Sequence, residues 1–399
     1  MTEVGIGLVG YAFMGQAHSQ AWRSVHRFFE VPLIPRMAAL CGRDRDAAGA
    51  AAARLGWSAV ETDWRELVRR DDVQLVDVCT PGDSHAEIAL AALAAGKHVL
   101  CEKPLSNSVA EAEEMTAAAE RAAADGIVAM VGFNYRRVPA VSLARELVAA
   151  GRIGQVRHVR ALYLQDWITD PQFPLVWRLR RDKAGSGALG DIGAHIVDLA
   201  QFVTGELITG VSAQTETFIT ERPLPAAAAG LSALSVDGNG ARTGAVTVDD
   251  CAVFTARLTG GAMATFEATR FATGRKNAMR LEVNGSLGSL AFDFESMNEL
   301  HFHDETEPAA TAGFRRILVT EPQHPYLKGW WPPGHGLGYE HAFVHQARDL
   351  LVGLARREPV HPTFRDGLQV QRVLDAVERS AADGSRLTSV ETAHAPAIT

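Results

Sequence analysis

An aspartate and a histidine lie four residues apart near the middle of the chain, at Asp191 and His195. On a helical turn this spacing places both side chains on one face. Oxidation of an alcohol needs a group that takes up the hydroxyl proton as the hydride leaves, and an imidazole titrates close to neutral pH. The pair therefore predicts proton transfer, with Asp191 either orienting His195 or binding a substrate hydroxyl. A surface contact between two helical neighbours is the plainer alternative.

A lysine that precedes a proline, Lys103, is the other candidate for catalysis. Its ammonium group would stabilise the negative charge that develops on an alkoxide oxygen, and it is the alternative to His195 as proton acceptor. A solvated lysine is the simpler interpretation of the residue alone. Zinc bound by Cys101, Asp191 and His195 is a further alternative, but the sequence offers neither the spacing nor the fourth ligand of a zinc site. We therefore expect no metal.

A glycine-containing turn follows the first apolar run of the chain and reads Gly10-Tyr11-Ala12-Phe13-Met14-Gly15. It matches the dinucleotide-binding pattern G-x-G-x-x-G, except that Ala12 replaces the middle glycine. Gly10 would permit the tight turn, and Gly15 would let the next helix pack closely against the strand. Backbone N–H groups at the start of that helix can then bind a pyrophosphate. A turn with a purely structural role is the alternative.

The end of the second predicted strand bears on the choice between NAD and NADP. Gly42 occupies the position where an acidic residue that binds the adenosine ribose is expected, and Arg43 follows it. A missing carboxylate removes the repulsion against a 2′-phosphate, and an arginine can pair with that phosphate. This favours NADP or the use of both cofactors, whereas a merely solvated Arg43 would favour neither. The sequence predicts NAD or NADP.

The first third of the chain alternates continuous apolar runs with helical patterns, which is typical of a parallel sheet covered on both faces. The predicted strands are Val4–Val9, Arg36–Cys41, Leu75–Cys79, His98–Cys101 and Ile127–Val131. The intervening predicted helices cover 44–55, 85–95 and 109–124, besides the one that follows Gly15. We therefore expect an α/β protein whose residues 1–133 form a Rossmann dinucleotide-binding domain.

After residue 134 the strands become longer and alternate between apolar and polar residues. They are predicted at Val156–Leu164, Ala252–Leu258, Met263–Thr269 and Met279–Val283, with hairpin signals at 259–261 and 284–285. Helices are predicted at 139–150 and 366–382. This pattern predicts an α+β domain over 134–399 with a large, mainly antiparallel sheet, used for substrate binding and oligomerisation. The Ala-, Gly- and Pro-rich stretch 221–247 is predicted to be a long loop or flexible insertion, and the tail after 382 to lack clear structure.

Alternating apolar residues on two of these strands predict a sheet face that pairs with another subunit. They are Phe254, Ala256, Leu258, Ala264, Phe266 and Ala268. We therefore expect a homodimer or a homotetramer.

Composition excludes several classes of protein. A chain of 399 residues is long enough for two domains. Its formal charge is 39 − 47 = −8, which argues against nonspecific binding to nucleic acid or to an acidic membrane. The sequence contains no run of 18 apolar residues, and the start of the chain does not resemble a leader peptide. The four cysteines, Cys41, Cys79, Cys101 and Cys251, form no C-x-x-C pair and are interpreted as buried thiols. We expect a cytoplasmic protein.

Four segments in order along the chain resemble the Gfo/Idh/MocA oxidoreductases. They are GYAFMGQAH (10–18), Cys79-Thr80-Pro81 with His85, AGKHVLCEKP (95–104), and GALGDIGAH (187–195) with Asp198. The resemblance covers nearly the whole chain. It implies that Lys103, Asp191 and His195 converge on the substrate carbon beside the nicotinamide, and that the Lys103–Pro104 peptide is cis. It adds Thr80, Pro81, His85, Glu102 and Lys103 to the expected cofactor-binding residues, which also include Phe13 and Met14.

Residues suited to a polyhydroxylated ring lie near the predicted domain junction. Aromatic faces and planar hydrogen-bonding groups are provided by Tyr135, Gln165, Trp167 and Arg178. For each residue taken alone, core packing or solvation is the better explanation. The segments that contain them, NYRR (134–137), YLQDW (163–167) and WR (177–178), together with GSGALGDI (185–192) and EATR (267–270), resemble the levoglucosan dehydrogenase-like sugar dehydrogenases, which implies oxidation at the C3 hydroxyl.

The predicted function is therefore hydride transfer between NAD(P) and a secondary hydroxyl of a sugar, anhydrosugar or cyclitol. Inositol oxidation is the alternative within this class. A regulator that binds a dinucleotide and a sugar without turnover is the alternative of another class, because one fold supports several functions.

Overall fold

The computed structural model describes residues 2–225 and 242–392. The chain folds into two compact units. The first comprises Met1–Arg137 and Leu337–Leu368, and the second comprises Val138–Gly336 and Gln369–Thr399. These units differ from the predicted domains, 1–133 and 134–399, because the segment 337–368 belongs to the first unit. Hydrophobic periodicity reports only local structure, so it cannot predict that a later segment packs into an earlier unit.

Six parallel strands form the sheet of the first unit, in the order β3-β2-β1-β4-β5-β6. They are β1 (Thr2–Val9), β2 (Leu33–Cys41), β3 (Ala59–Glu61), β4 (Leu75–Val78), β5 (His98–Cys101) and β6 (Ala129–Val131). The helices between them are α1 (Phe13–Phe28), α2 (Arg45–Leu55), α3 (Trp64–Arg69), α4 (His85–Ala94) and α5 (Val109–Ala123). The strand order reverses between β1 and β4, and a doubly wound sheet binds its ligand at the carboxyl ends of such strands. The predicted Rossmann arrangement is confirmed.

Burial explains the apolar runs of this sheet. All four residues of β4 are buried, and so are the last six of β1. Asp77 is the one acidic residue of β4, and it too is fully buried. The short elements β3 and α3 were missed by the prediction because three and six residues are too few to show a period.

The second unit contains a nine-stranded sheet in the order β16-β15-β14-β13-β7-β12-β11-β8-β17. Its strands are β7 (Val156–Leu164), β8 (Ile208–Glu216), β11 (Cys251–Leu258), β12 (Met263–Thr269), β13 (Ala278–Gly285), β14 (Gly288–Asp293), β15 (Glu299–Asp304), β16 (Arg315–Leu318) and β17 (Thr388–Ser389), while β9 (Glu221–Pro223) and β10 (Thr243–Ala245) pair separately. The helices α6 (Pro139–Ala149), α7 (Arg181–Ala184) and α8 (Ala194–Thr204) belong to the same unit. Only β7 and β12 pair in parallel among these described strands, so the predicted, mainly antiparallel sheet is confirmed.

Two further helices, α9 (His341–Arg356) and α10 (Phe364–Ala382), follow the sheet. α9 lies in the first unit, where the Arg137 Nε donates to Asp349 at 3.0 Å and the His345 Nδ1 lies 2.8 Å from the Arg137 carbonyl oxygen. The backbone N–H of Val131 donates to the Pro362 carbonyl oxygen at 2.9 Å. These bonds join the returning segment to the end of β6. No helix within 2–225 and 242–392 is long and apolar enough to cross a membrane.

The prediction of a loop over 221–247 is wrong at both ends of that stretch. Glu221–Pro223 and Thr243–Ala245 pair as an antiparallel ribbon, whereas 226–241 lie outside the described residues. The tail after residue 382 is likewise structured in part, because Thr388 and Ser389 add an edge strand to β8. Residues 393–399 are not described. Both strands are too short to be recognised among Ala, Gly and polar neighbours.

The apolar alternation on β11 and β12 does not mark a subunit interface. Phe254 and Phe266 are buried within the chain, and their rings stack with centroids 4.6 Å apart. Half-exposed residues on the opposite face of these strands are Val253 and Met263. The alternation was assigned to the wrong face because a period of two shows that one face is apolar but not what covers it. Oligomerisation stays a prediction without that support.

Candidate active site

Two glycines shape the turn between β1 and α1. Gly10 has a φ of +96°, and a Cβ there would lie 2.7 Å from the Cys79 carbonyl oxygen. A Cβ on Gly15 would lie 2.1 Å from the Gly10 carbonyl oxygen. Both positions therefore require glycine. α1 begins at Phe13, and its N-cap residue Ala12 offers no side-chain acceptor to the first N–H groups. The turn and the helix N-terminus fit a dinucleotide pyrophosphate, and Met14 lies in the first turn of the helix.

A tyrosine ring covers the end of β2. A Cβ on Gly42 would lie only 2.0 Å from the Tyr11 Cε1, so an acidic side chain has no room at this position while Tyr11 keeps its place. Arg43 is exposed beside it. The carboxylate of Asp44 caps α2 by accepting the Ala47 N–H at 2.9 Å. The edge where the adenosine ribose binds in such folds therefore presents a guanidinium group and lacks a carboxylate at position 42.

A buried histidine joins the loops that follow β4 and β5. The His85 Nε2 lies 2.8 Å from the Thr80 carbonyl oxygen, and its Nδ1 lies 3.0 Å from the Pro104 carbonyl oxygen. Pro81 precedes a short 3₁₀ turn, Gly82–Ser84. The Lys103–Pro104 peptide is cis. Thr80 and Pro81 follow β4 and therefore lie at the carboxyl edge of the sheet. Both ring nitrogens of His85 face backbone carbonyl oxygens, so His85 connects the loop after β4 with the loop after β5.

A second buried histidine lies beside Glu102. The His18 Nε2 is 3.0 Å from the Glu102 Oε1, and its Nδ1 is 2.9 Å from the Asp77 Oδ1. The backbone N–H of Lys103 donates to the Glu102 Oε2 at 3.2 Å. Burial lowers the pKa of His18, but the Asp77 carboxylate and the Cys79 sulfur together outweigh burial and raise this pKa well above its usual value. The ring is therefore positively charged between two carboxylates.

The same cluster offers the metal-ligand types His18, Asp77 and Cys79, whose donor atoms lie within 4.8 Å of one another. It does not suit a metal ion. Both ring nitrogens of His18 already contact carboxylates. Burial raises the pKa of the Cys79 thiol, which disfavours the thiolate form that a metal ion would need. Hydrogen bonding explains the cluster fully.

Aromatic rings lie next to the dinucleotide turn within the first unit. The exposed ring of Phe13 stacks on Tyr339 with centroids 6.0 Å apart, and Tyr135 meets the same ring edge-on at 6.4 Å. Tyr339 belongs to the returning segment 337–368. Of the residues predicted to bind substrate, Tyr135 is therefore grouped with the cofactor turn.

Asp191 and His195 lie on consecutive turns in the second unit. Asp191 belongs to a π-helical turn, Leu189–Gly193, and His195 to the first turn of α8. The expected helical spacing is present, although the first turn is wider than that of an α-helix. The imidazole of His195 is mostly buried and lies against the Tyr163 ring, with centroids 5.9 Å apart.

Two arginines flank the Asp191 carboxylate. The Arg270 Nη1 lies 3.6 Å from the Asp191 Oδ2, and the Arg178 Nε lies 4.0 Å from the same oxygen. Arg270 is fully buried and its guanidinium lies 5.6 Å from the Trp167 ring centroid. Arg178 is partly exposed and packs on Trp177. Two guanidinium groups therefore lie within 4.0 Å of one oxygen of a partly exposed carboxylate.

A buried aspartate holds the loop that leads to Asp191. The Asp249 carboxylate accepts the N–H groups of Gly187 at 2.6 Å and Leu189 at 2.8 Å. A Cβ on Gly187 would lie 1.7 Å from the Asp249 carbonyl oxygen, so only glycine fits there. The Arg270 Nη2 donates to that carbonyl oxygen at 3.1 Å. Asp249 thus binds the turn directly, and Arg270 binds the backbone of Asp249.

A chain of polar contacts continues to the end of β7. The Asn277 Oδ1 accepts the Gln165 Nε2 at 2.8 Å and the Tyr163 hydroxyl at 2.7 Å. The Trp167 Nε1 donates to the Gln165 Oε1 at 3.0 Å. The amide of Gln165 is therefore held at a fixed angle next to the ring that contacts His195.

The second unit thus gathers five predicted residues, which are Gln165, Trp167, Arg178, Asp191 and His195. The predicted cofactor residues and Lys103 lie in the first unit, at the carboxyl ends of its strands. The prediction missed the residues that support both groups, namely His18, Asp77, Asp249, Arg270, Asn277 and Tyr339. The density of glycine in 185–193 indicated that some backbone or side chain approaches this turn closely, but not that Asp249 does so.

Comparison with known proteins agrees with this arrangement. Residues 4–133 match the family model of the oxidoreductase family with an NAD-binding Rossmann fold, and residues 141–291 match that of the GFO/IDH/MocA C-terminal domain. Levoglucosan dehydrogenase of Pseudarthrobacter phenanthrenivorans is 41% identical over 387 residues, which cover 96% of this chain and 98% of that protein.

Solved structures are similar over the same length. An oxidoreductase domain protein from Kribbella flavida is 66% identical, with a TM-score of 0.93 over 98% of this chain and 100% of that one. Levoglucosan dehydrogenase in complex with NADH and levoglucosan is 39% identical, with a TM-score of 0.91 and the same coverage. By both family models and by full-length similarity, this chain belongs to the Gfo/Idh/MocA family of NAD-binding oxidoreductases.

Proposed function

We propose that the protein is an NAD(P)-dependent dehydrogenase that oxidises the C3 hydroxyl of a sugar or anhydrosugar, with levoglucosan as the first substrate to test. The observation that carries the proposal is the Asp191 carboxylate between Arg178 and Arg270, one turn before His195. Similarity to levoglucosan dehydrogenase over nearly the full length of both proteins supports the substrate class.

The polar groups of the second unit suit a ring that carries several hydroxyls. A carboxylate accepts hydrogen bonds from neighbouring hydroxyls, and a guanidinium group donates to their oxygens. The Trp167 ring offers an apolar face for the C–H side of a sugar. Arg178 and Arg270 both pair with the Asp191 carboxylate, so a phosphate group would have to compete with that carboxylate for them. A free sugar is therefore proposed over a sugar phosphate.

His195 and Lys103 are proposed to assist removal of the proton from the substrate hydroxyl. As the hydride leaves the carbon, His195 takes up the hydroxyl proton, and the Lys103 ammonium stabilises the developing alkoxide. Asp191 is proposed to hold the sugar through its other hydroxyls. The two assignments predict different results for Lys103→Arg, because arginine keeps the charge but does not release a proton. Turnover should be lost if Lys103 is the proton acceptor, and should be kept in part if Lys103 only stabilises the alkoxide.

The bound nicotinamide accepts the hydride, and the residues of the first unit are proposed to hold the dinucleotide. Gly10 and the first N–H groups of α1 take the pyrophosphate, while Thr80 and Pro81 line the carboxyl edge of β4. At the adenosine end, Arg43 and the missing carboxylate at Gly42 favour acceptance of NADP beside NAD. The cofactor preference is therefore proposed to be weak.

A steady-state assay tests these roles. NADH or NADPH formation is followed with levoglucosan, glucose, xylose and myo-inositol, for the wild type and for Lys103→Ala, Lys103→Arg and His195→Asn. Turnover should fall at least a hundredfold for Lys103→Ala and His195→Asn, while the dissociation constant of NADH changes little. Wild-type turnover by His195→Asn would exclude it as the proton acceptor. A preference for myo-inositol over every sugar would favour inositol oxidation instead.

A further inference from the structure

An imidazole lies between two carboxylates inside the first unit. His18 is on α1, Asp77 is on β4, and Glu102 directly follows β5. The His18 Nδ1 is 2.9 Å from Asp77 and its Nε2 is 3.0 Å from Glu102. The side chains of all three are at most 5% exposed. One ring therefore connects the first helix with two strands of the Rossmann sheet.

Burying such a cluster of charged groups destabilises the folded state unless its hydrogen bonds have good geometry. Both carboxylates lose their hydration on burial. The imidazole can donate a hydrogen bond to each of them only if both of its nitrogens carry a proton. The Asp77 carboxylate has a further donor in the Trp22 Nε1, at 2.7 Å. Apolar residues of similar volume are often at least as stable as a buried ion pair, so stability alone does not account for these residue types.

The cluster ends on the backbone of the candidate lysine. Glu102 uses one oxygen for His18 and the other for the N–H of Lys103, at 3.2 Å. The orientation of the Glu102 carboxylate, and with it the first atoms of Lys103, therefore depends on the position of the imidazole. The helix that carries His18 begins at Phe13, within the dinucleotide turn.

We propose that His18 is a positioning residue for Lys103, because it orients the carboxylate of Glu102 that binds the Lys103 backbone. Since His18 lies on α1, the same contact ties Lys103 to the dinucleotide turn. The inference rests on the proposed function for its kinetic consequence, but not for the geometry of the Lys103 amide.

The first test observes that amide directly. The chain has only the lysines Lys97, Lys103, Lys183, Lys276 and Lys328, so ¹⁵N-lysine labelling yields few amide signals, and loss of one signal in Lys103→Arg assigns it. His18→Gln should move the Lys103 signal and leave those of Lys183 and Lys276 in place. The matched control is His26→Gln, which makes the same change on the same helix away from the cluster, and it should leave the Lys103 signal unmoved. An unmoved Lys103 signal in folded His18→Gln overturns the inference.

The second test is kinetic. His18→Gln should lower kcat about tenfold to a hundredfold, as displacement of a catalytic group by a fraction of an ångström does, while the NADH dissociation constant changes less than about threefold. Glu102→Gln should have a similar effect, and the double variant should be no worse than the worse single one, because the two residues act as a unit. Effects that multiply in the double variant contradict the proposal.

One alternative variant and two combined results complete the test. If His18→Gln does not fold, Trp22→Phe removes only the neighbouring bond to Asp77, and it should move the Lys103 signal in the same direction by a smaller amount; no movement overturns the inference. If the wild type turns over no sugar while His18→Gln still moves the Lys103 signal, the proposed function fails and the structural coupling stands. If the wild type is fully active and the Lys103 signal does not move in folded His18→Gln, only the inference about His18 fails.

Discussion

The Nη1 of Arg270 lies 3.6 Å from the Oδ2 of Asp191, and the same guanidinium group donates to the Asp249 carbonyl oxygen. Arg270 is fully buried directly after β12, so it is a fixed positive charge beneath a carboxylate that remains partly open to solvent. A buried guanidinium is tolerated only when it is paired. Arg270 therefore anchors the loop before α8 and lies within ion-pair distance of the Asp191 carboxylate, which we propose binds hydroxyl groups.

Replacing Arg270 tests this role. Arg270→Met should lower kcat/KM for the sugar about a hundredfold, because Asp191 loses its buried partner, and should leave the NADH dissociation constant unchanged. Arg270→Lys should recover part of the loss, since the charge returns without the bond geometry of the guanidinium. Arg280→Met, which removes a partly exposed pair with Asp293 in the same unit, is the control and should remain near wild-type. Wild-type kcat/KM in Arg270→Met would show that Asp191 does not need this partner.

Asp249 provides a second prediction for the same turn. Asp249→Asn keeps the side-chain shape, but its amide has only one acceptor oxygen, so one of the two bonds from Gly187 and Leu189 is lost and the other loses its charge. The free energy of unfolding should therefore fall by about 2 kcal/mol. The sugar KM should rise with it, because the turn carries Asp191. Asp250→Asn is the comparison, since its carboxylate binds Phe218 and Ile219 instead, and burial raises its pKa. Denaturant titration and kinetics should separate the two, and equal effects on KM would contradict this assignment.

We predict that three neighbouring residues, Tyr11, Gly42 and Arg43, determine the choice between NAD and NADP. Arg43→Ala should lower kcat/KM for NADP about tenfold and leave that for NAD nearly unchanged, because only NADP carries the 2′-phosphate. Gly42→Asp alone should weaken both cofactors, since its Cβ would meet the Tyr11 ring. The double variant Tyr11→Ala/Gly42→Asp should restore NAD binding and exclude NADP. Equal loss of both cofactors in Arg43→Ala would remove Arg43 from the ribose site.

The pH dependence of stability is predicted to contain a contribution from His345. Burial lowers the pKa of this residue to about 3, against the bond to Arg137 and the charge of Asp349, which raise it. Below its unfolded pKa of about 6.5 the unfolded chain takes up a proton that the folded protein does not, so stability falls as the pH drops from there toward 3. Between pH 7 and pH 5 this loss is about 2 kcal/mol.

His345→Gln should remove that loss while an amide N–H still reaches the Arg137 carbonyl oxygen. The measurement is the free energy of unfolding of both proteins between pH 5 and pH 7.5. His18 contributes with the opposite sign, since its folded pKa is raised, but it does so equally in both proteins and cancels in the difference. Parallel curves for the variant and the wild type would mean that His345 is protonated in the folded state.

The sequence was sufficient for five of the six strands in the sheet of the first unit and for the glycine-containing turn at its edge. Apolar runs such as Leu75–Val78 and the turn at Gly10 are local signals, because burial on both faces and a positive φ each demand particular residue types nearby. Short elements such as Ala59–Glu61 escaped because they contain no full period. The face of β11 and β12 was assigned wrongly because periodicity does not reveal what covers an apolar face.

The supporting residues of the site could not be predicted for a different reason. Arg270 and Asp249 meet Asp191 and its loop from 79 and 58 residues along the chain, the differences between their numbers. His18 and Glu102 are 84 residues apart. Such pairs are made by the fold and not by a local pattern, so a buried histidine on α1 looked like any other helical residue. The motifs predicted which residues carry the chemistry, whereas only the structure shows which residues contact and support them.

Hydride transfer from C3 of the sugar is tested most directly with levoglucosan that carries deuterium at C3. The protein is incubated with this substrate and NAD, and the reduced cofactor is examined by mass spectrometry. Our account predicts NADH that carries the deuterium, formed at a rate that His195→Asn lowers at least a hundredfold. NADH without the label, or no reduced cofactor although NADH binds to the protein, would contradict it.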